Sequence, residues 1–182
     1  MPVDLYEPFK NPITGETFRC LSLSEEAYTT EWLLEPDGYV PFRHIHVRQD
    51  EIFHVQGGET RVVIDGREHI GAPGQTVRVP RGVRHIAYNN KPELLRCVVE
   101  YRPALDHYRV MQCFGGLTLD RDVGRGGIVN IPKMMYFMQE MNAQAVAIPS
   151  FVPAPFFGLF MRVFHIVGST AGWDELYRKY TG

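Results

Sequence analysis

Between residues 15 and 113 the chain is cut into short apolar segments with two-residue alternation, most of them ended by a turn signal. This restricts the fold more than any other feature. "ETFRCLSL" and "EAYTTEWLLEP" come first, then "EIFHVQGG", "ETRVVIDGREHIG", "QTVRVP", "RHIAYNN", "ELLRCVVEYRP" and "HYRVMQCF". In the fourth of these, Asp65-Gly66 marks a tight hairpin whose two central residues need positive φ. At least eight short strands in series predict an antiparallel sandwich or barrel. Thirteen prolines and seventeen glycines supply the turns such a fold requires.

The texture changes after Phe114. "GGLTLDRDVGRGG" reads as a loop, "IPKMMYFMQEMNAQAVA" as a helix with an early proline and an apolar stripe, and "GWDELYRKY" as a short amphipathic helix. The chain therefore divides into a β domain over 1–114 and a loop with a helical appendage over 115–182. The segment Ala147 to Val167 is very apolar, but prolines at 149, 153 and 155 and the polar Arg162 and His165 interrupt it. A bilayer span wants about 20 apolar residues. The segment is accordingly expected to pack on the β domain or on a second copy of the chain, with no membrane partner.

Hydrophobic residues make up 45% and charged residues 22%, enough apolar material for one core in 182 residues. A formal net charge of −2 gives no electrostatic case for a nucleic-acid partner. Cys20, Cys97 and Cys113 form no CxxC pair and no even framework, so they read as reduced, buried thiols. "MPVDLYEPFK" lacks a basic start followed by an apolar run, so no secretory signal is expected and the location is taken as cytoplasmic.

The chemistry concentrates in two glycine-bounded stretches. In "GYVPFRHIHVRQDEIFHVQGG" (Gly38 to Gly58), His44 and His46 lie two apart on a strand and point the same way. At about 6.6–6.8 Å along the chain, two imidazoles can hold one ion between them, each at about 2.1 Å. Glu51 opens the next segment and is expected to return beside the pair as a hairpin partner. A lone HxH with a nearby glutamate also suits an ordinary polar strand. The second stretch, "GQTVRVPRGVRHIAYNN" (Gly74 to Asn90), adds His85 after a Pro80–Gly82 turn. If that strand lies beside the first, three imidazoles and a carboxylate meet inside the barrel.

These stretches resemble the two motifs of the cupin superfamily. The first motif matches at Gly38, His44, His46, Glu51 and Gly58, and the second at Gly74, Pro80, Gly82, His85 and Asn89. All ten positions fall at the family's spacing, and fifteen residues separate the motifs. The resemblance covers roughly residues 20–105 and implies an all-β, antiparallel jelly-roll barrel followed by the helical tail. It implies His44, His46, Glu51 and His85 as ligands of one divalent transition metal: iron, manganese, nickel or zinc. It assigns the motif glycines, Pro80 and Asn89 to turns and strand ends.

The alternation also predicts the pocket lining. On "ELLRCVVEYRP" the inward set is Leu95, Cys97, Val99 and Tyr101, and on "EAYTTEWLLEP" it is Tyr28, Thr30 and Trp32. With Phe53 on the strand of Glu51, the candidate lining is Tyr28, Trp32, Phe53 and Tyr101. His54 should face outward, His69 and His107 should be solvated, and His165 should be packed. Arg43 and Arg48 flank the histidines, most simply as surface charge. No nucleophile elbow, GxGxxG or Walker pattern occurs.

Function is expected to be a small metalloenzyme acting on an oxygen-rich small organic ligand, of the dioxygenase type if the ion is iron. The alternatives are a non-catalytic sensing or binding cupin and a structural, metal-bearing dimer. No helix-turn-helix segment is apparent, and a homodimer is expected, with the apolar tail covering a barrel edge.

Overall fold

A computed structural model describes residues 2–141, 147–150 and 152–182. Its strands are β1 (Phe9–Asn11), β2 (Glu16–Leu23), β3 (Tyr28–Leu34), β4 (His44–His46), β5 (Asp50–Gly57), β6 (Thr60–Ile64), β7 (Arg67–Gly71), β8 (Thr76–Val79), β9 (His85–Tyr88), β10 (Leu95–Arg102) and β11 (Ala147–Pro149). Its helices are α1 (His107–Leu119), α2 (Ile131–Glu140), α3 (Ala154–Thr170) and α4 (Trp173–Thr181). One sheet has the order β1-β2-β3-β10-β5-β8 and the other β11-β4-β9-β6-β7, with antiparallel pairing in both.

The strands arise as the alternation requires. β3 buries Tyr28, Thr30, Trp32 and Leu34, and β10 buries Leu95, Cys97, Val99 and Tyr101. The two strands pair with Tyr101 opposite Tyr28 and Cys97 opposite Trp32, so both inward rows fill one core. Val62 of β6 and Ala87 of β9 join that core from the other sheet. Asp65 and Gly66 take φ of 46° and 82° at the β6–β7 hairpin. All three cysteines are buried and free.

Two expectations are corrected. Among the described residues no ladder joins the two sheets, so the closed barrel is instead a pair of facing sheets. The chain passes from β4 to β5 and from β8 to β9 through corners that change sheet, and side-chain packing rather than hydrogen bonding closes the core. The segment "HYRVMQCF" is not a strand, and "GG" after it is not a loop: both lie in α1. His107, Val110, Met111 and Leu117 are buried at helical spacing. Gly115 and Gly116 are part of the helix because neighbours press on it there. A Cβ on Gly116 would stand 2.3 Å from the Tyr180 ring of α4.

A second core gathers α1, α2 and α4 around Phe137, Tyr136, Met134 and Tyr180. Asn130 caps α2, its side chain accepting from the Lys133 amide, and α4 is the expected short amphipathic helix. Residues 142–146 of the segment read as one long helix lie outside the described residues. Just beyond them, β11 pairs with β4. His165 is half-buried, stacked on Tyr136 and bonded to Glu140. Along α3, Phe156, Leu159, Phe160, Val163, Ile166 and Val167 are exposed. No described helix is long and apolar enough to cross a membrane.

Candidate metal centre and adjoining cavity

The site is assembled across the two sheets. β4 carries His44 and His46, and it pairs with β9 so that His44 faces His85 directly. On its other side β11 sets Ala147 against His46 and Pro149 against His44, fixing the histidine strand from both edges. Glu51 belongs to the opposite sheet, flanked by Val79 and Tyr101. It reaches the histidines across the sandwich and not as the expected hairpin partner. The Pro80–Gly82 turn ties both ligand strands to β9. Gly82 has φ of 78° and donates its amide to the His46 carbonyl at 2.8 Å, while the Arg81 amide donates to Asp50 at 2.9 Å.

The four groups converge. One ligand atom from each of His44, His46, Glu51 and His85 lies within 4.8 Å of the other three. His44 Nε2 is 3.2 Å from His46 Nε2, and Glu51 Oε2 is 3.4 Å from His46 Nε2 and 2.6 Å from His85 Nε2. Neighbouring ligands at about 2.1 Å from one ion stand about 3.0–3.4 Å apart. The two longer edges have that length, and the shortest is a hydrogen-bonded ion pair. His46, Glu51 and His85 are at most 5% exposed, and His44 is half-buried.

The tautomers also suit an ion. His44 Nδ1 lies 3.2 Å from the Phe42 carbonyl and His85 Nδ1 lies 3.1 Å from the Val83 carbonyl. A carbonyl only accepts, so both Nδ1 atoms carry a proton; His44 Nε2 thereby turns a lone pair to the centre, while His85 Nε2 holds the proton it gives to Glu51 and would release it to bind an ion. Burial pushes the His44 imidazole well down, as do the neighbouring His85 and His46. Burial alone would raise the Glu51 carboxyl, but His85 and His46 hold it well below the usual range. Burial lowers His85, and the Glu51 carboxylate more than reverses this. Burial and the Glu51 charge raise the Tyr101 phenol, which stays protonated and donates to Glu51 Oε1 at 2.9 Å.

A cavity of about 180 Å³ opens against this centre. Its polar lining is Glu16, His44, His46, Glu51, Tyr101 and His107, and the rest is carbon, including Trp32, Phe53, Met111, Met134 and Met138. Three of the four residues proposed as lining, Trp32, Phe53 and Tyr101, are therefore in the wall. Tyr28 is not: it is fully buried behind Tyr101 and His107, at ring separations of 6.1 and 5.2 Å. His54 faces away, bonded to Thr76 and Glu100, and Arg43, Arg48 and His69 are exposed.

Two polar cavity residues escape the sequence reading. Expected in solvent, His107 is 4% exposed at the start of α1 and stacked on Tyr101 at 3.7 Å. Burial, then the nearby His46, push its imidazole down to about 3. The His107, Val110, Met111, Phe114 spacing is the signal that would have placed it on a helix. Glu16 is buried beside Trp32, accepting from its indole at 3.3 Å and from Thr14 at 2.9 Å. Its phase with inward Phe18 and Cys20 on β2 would have shown that it faces in.

Three histidines on one sheet and a glutamate on the other, with a cavity at their meeting point, make a sandwich that could hold a metal ion. Residues 30–101 match the family described as "Cupin domain", so this part of the chain is a cupin domain. Its fold is similar to that of KdgF from Halomonas sp., at 17% identity and a TM-score of 0.51, over 59% of this chain and 96% of that one. An RmlC-like cupin from Shewanella frigidimarina aligns at 21% identity and a TM-score of 0.48, over 55% and 86% of the two chains. A cupin described as a sugar phosphate isomerase, from Silicibacter pomeroyi, aligns at 26% identity and a TM-score of 0.46, over 51% and 62%. No curated protein matches the chain.

Proposed function

We propose that this cupin holds one divalent transition metal at His44, His46, Glu51 and His85 and binds a small organic ligand through oxygen at the remaining coordination positions. It is then a small metalloenzyme, of the dioxygenase type with iron. The observation that carries the reading is the convergence of four ligand atoms within 4.8 Å, three of them from residues that line a cavity. A purely structural ion would need no such space beside it. When bound, the ion supplies Lewis acidity and, if it is iron or manganese, one-electron chemistry.

The chain's own residues define the rest. Tyr101 holds the outer oxygen of Glu51, leaving the inner one for the centre. The carbon wall excludes water from the bound ligand. Since no Lys or Arg among the described residues lines the cavity, a phosphate finds no counter-charge from them there apart from the ion. The ligand is accordingly one with few oxygens, gathered near the metal, and an apolar body. Six large apolar side chains exposed on one helix, α3, support the expected pairing of two copies.

Elemental analysis of the purified protein tests the assignment. The wild type should carry close to one transition-metal ion per chain. His46→Ala should lose it while keeping its far-ultraviolet circular dichroism, and full metal content in that variant would refute the ligand set. Oxygen uptake with small diols or hydroxy acids marks the enzyme. Tight binding without uptake marks the sensing alternative.

A further inference from the structure

His107 occupies the cavity in a state that asks for a partner. Gln49 is 1% exposed and spends its amide hydrogens on the Pro103 and Ala104 carbonyls, each at 2.8 Å. Those two acceptors orient the amide, so Gln49 Oε1 faces His107 Nδ1 at 3.2 Å. An amide oxygen only accepts, and Nδ1 must therefore carry the ring proton. Nε2 is left with a bare lone pair, buried, without a partner among the described residues, on a ring that lines the cavity. Tyr101 is stacked on the same ring, but its hydroxyl is committed to Glu51. The His46 ring is 5.9 Å away, so the lone pair and the metal centre serve one ligand-sized space.

We propose that His107 Nε2 accepts a hydrogen bond from a hydroxyl of the ligand. The ligand class is then a small compound with an apolar body and a hydroxyl next to its metal-binding oxygen, such as an aryl or alkyl 2-hydroxy acid. This deepens the metal-chelate reading and rests on it. A bare nitrogen discriminates by chemistry: it rewards an O–H donor and gives nothing to a keto or ether oxygen in its place. Leaving it unpaired in a dry site is unfavourable, which makes the preference a property of the protein and not of the ion.

The test uses the full chain loaded with cobalt(II), with mandelate and its O-methyl ether as probes, followed by calorimetry and by the visible cobalt spectrum. The ether keeps every heavy atom of mandelate, loses the donor and adds one methyl group, so the preference is read as the change between wild type and the His107 variants. Wild type should bind mandelate about tenfold more tightly than the ether, the worth of one buried hydrogen bond. His107→Phe, which retains the ring stack, should lose that preference at unchanged cobalt content, and His107→Gln, whose amide oxygen can accept, should restore part of it. An unaltered preference in His107→Phe overturns the proposal, whatever its size in wild type. Cobalt bound with neither probe taken up at millimolar concentration overturns the ligand class alone. Failure of wild type to hold cobalt at the four-residue centre overturns the metal reading and this inference with it.

Discussion

The two walls of the cavity are built on different principles. The strand wall holds every candidate metal ligand, and backbone groups fix their positions: carbonyls set the tautomers of His44 and His85, and Gly82 locks the turn to His46. The helix wall is carbon, much of it methionine, with His107 as its polar exception. Groups that must sit within a fraction of an ångström of an ion belong on paired strands, where neighbours restrain both edges. Unbranched Met111, Met134 and Met138 can repack around different ligand bodies. Exchange of the helix wall should therefore alter which ligand fits, and exchange of the strand wall should abolish the centre.

The largest effect that would break this separation comes from the second core. Phe137 is fully buried among Tyr136, Tyr177 and Tyr180, with ring separations of 5.9 Å to each. Phe137→Ala should cost about 3–5 kcal/mol, the usual range for such a cavity. Urea unfolding would show it as a lower midpoint. The folded fraction should keep its metal, since Phe137 belongs to the helical core and not to the core of the ligand-bearing sheets. Loss of metal from still-folded Phe137→Ala would show that the helices hold the centre, through β11 and its pairing with β4.

Legibility in the sequence follows the same division. The four candidate ligands could be read because strand periodicity and motif spacing act locally: His44 and His46 share a face, and glycines bracket them. Their distribution over two sheets could not, because a hairpin and a sheet-changing corner look alike in "VRQD". The sequence of α1 is ambiguous for a physical reason. "HYRVMQCF" satisfies both a two-residue and a helical period, and the paired glycines after it suggest an end where tertiary contact with Phe9 and Tyr180 in fact demands small residues. β11 carries no signal of its own, since three residues of "AIP" become a strand only by finding β4.

A second comparison lies within the strand wall, between the two buried carboxyls that line the cavity. Glu51 has imidazoles beside it and is held anionic, whereas Glu16 has only Thr14 and the Trp32 indole. Burial raises Glu16 to about 7 against these two weaker hydrogen bonds. With its folded value above the unfolded one of about 4.5, the folded state binds the extra proton between these limits. Wild type should therefore lose stability as pH rises from about 4.5 to 7, by at most about 3 kcal/mol. Glu16→Gln should remove that loss and be the more stable protein at pH 8, with no advantage at pH 4. Denaturant titrations in chelator, which keep metal linkage out of the comparison, measure this. Equal slopes for both proteins between pH 5 and 7 would mean that Glu16 is already solvated through the cavity.

The smallest effect concerns how the strand wall aims His85. Asp50 accepts from the Arg81 amide at 2.9 Å, from Arg78 at 2.6 Å and from Arg81 Nε at 3.2 Å. Burial tends to raise its carboxyl, but these three donors bring it down to about 2. A folded value below the unfolded one means stability that is present above about pH 4 and lost as pH falls through about 2. Since both guanidinium groups are more than half exposed, solvent screening reduces the gain to about 1 kcal/mol. Asp50→Asn should thus melt earlier than wild type at pH 7 and together with it near pH 2, in chelator throughout. The amide still offers one oxygen to the Arg81 backbone, so the turn before His85 should persist and metal affinity should fall only slightly. A large loss of affinity with little loss of stability would show that the charge of Asp50, and not the turn it anchors, is what tunes the centre.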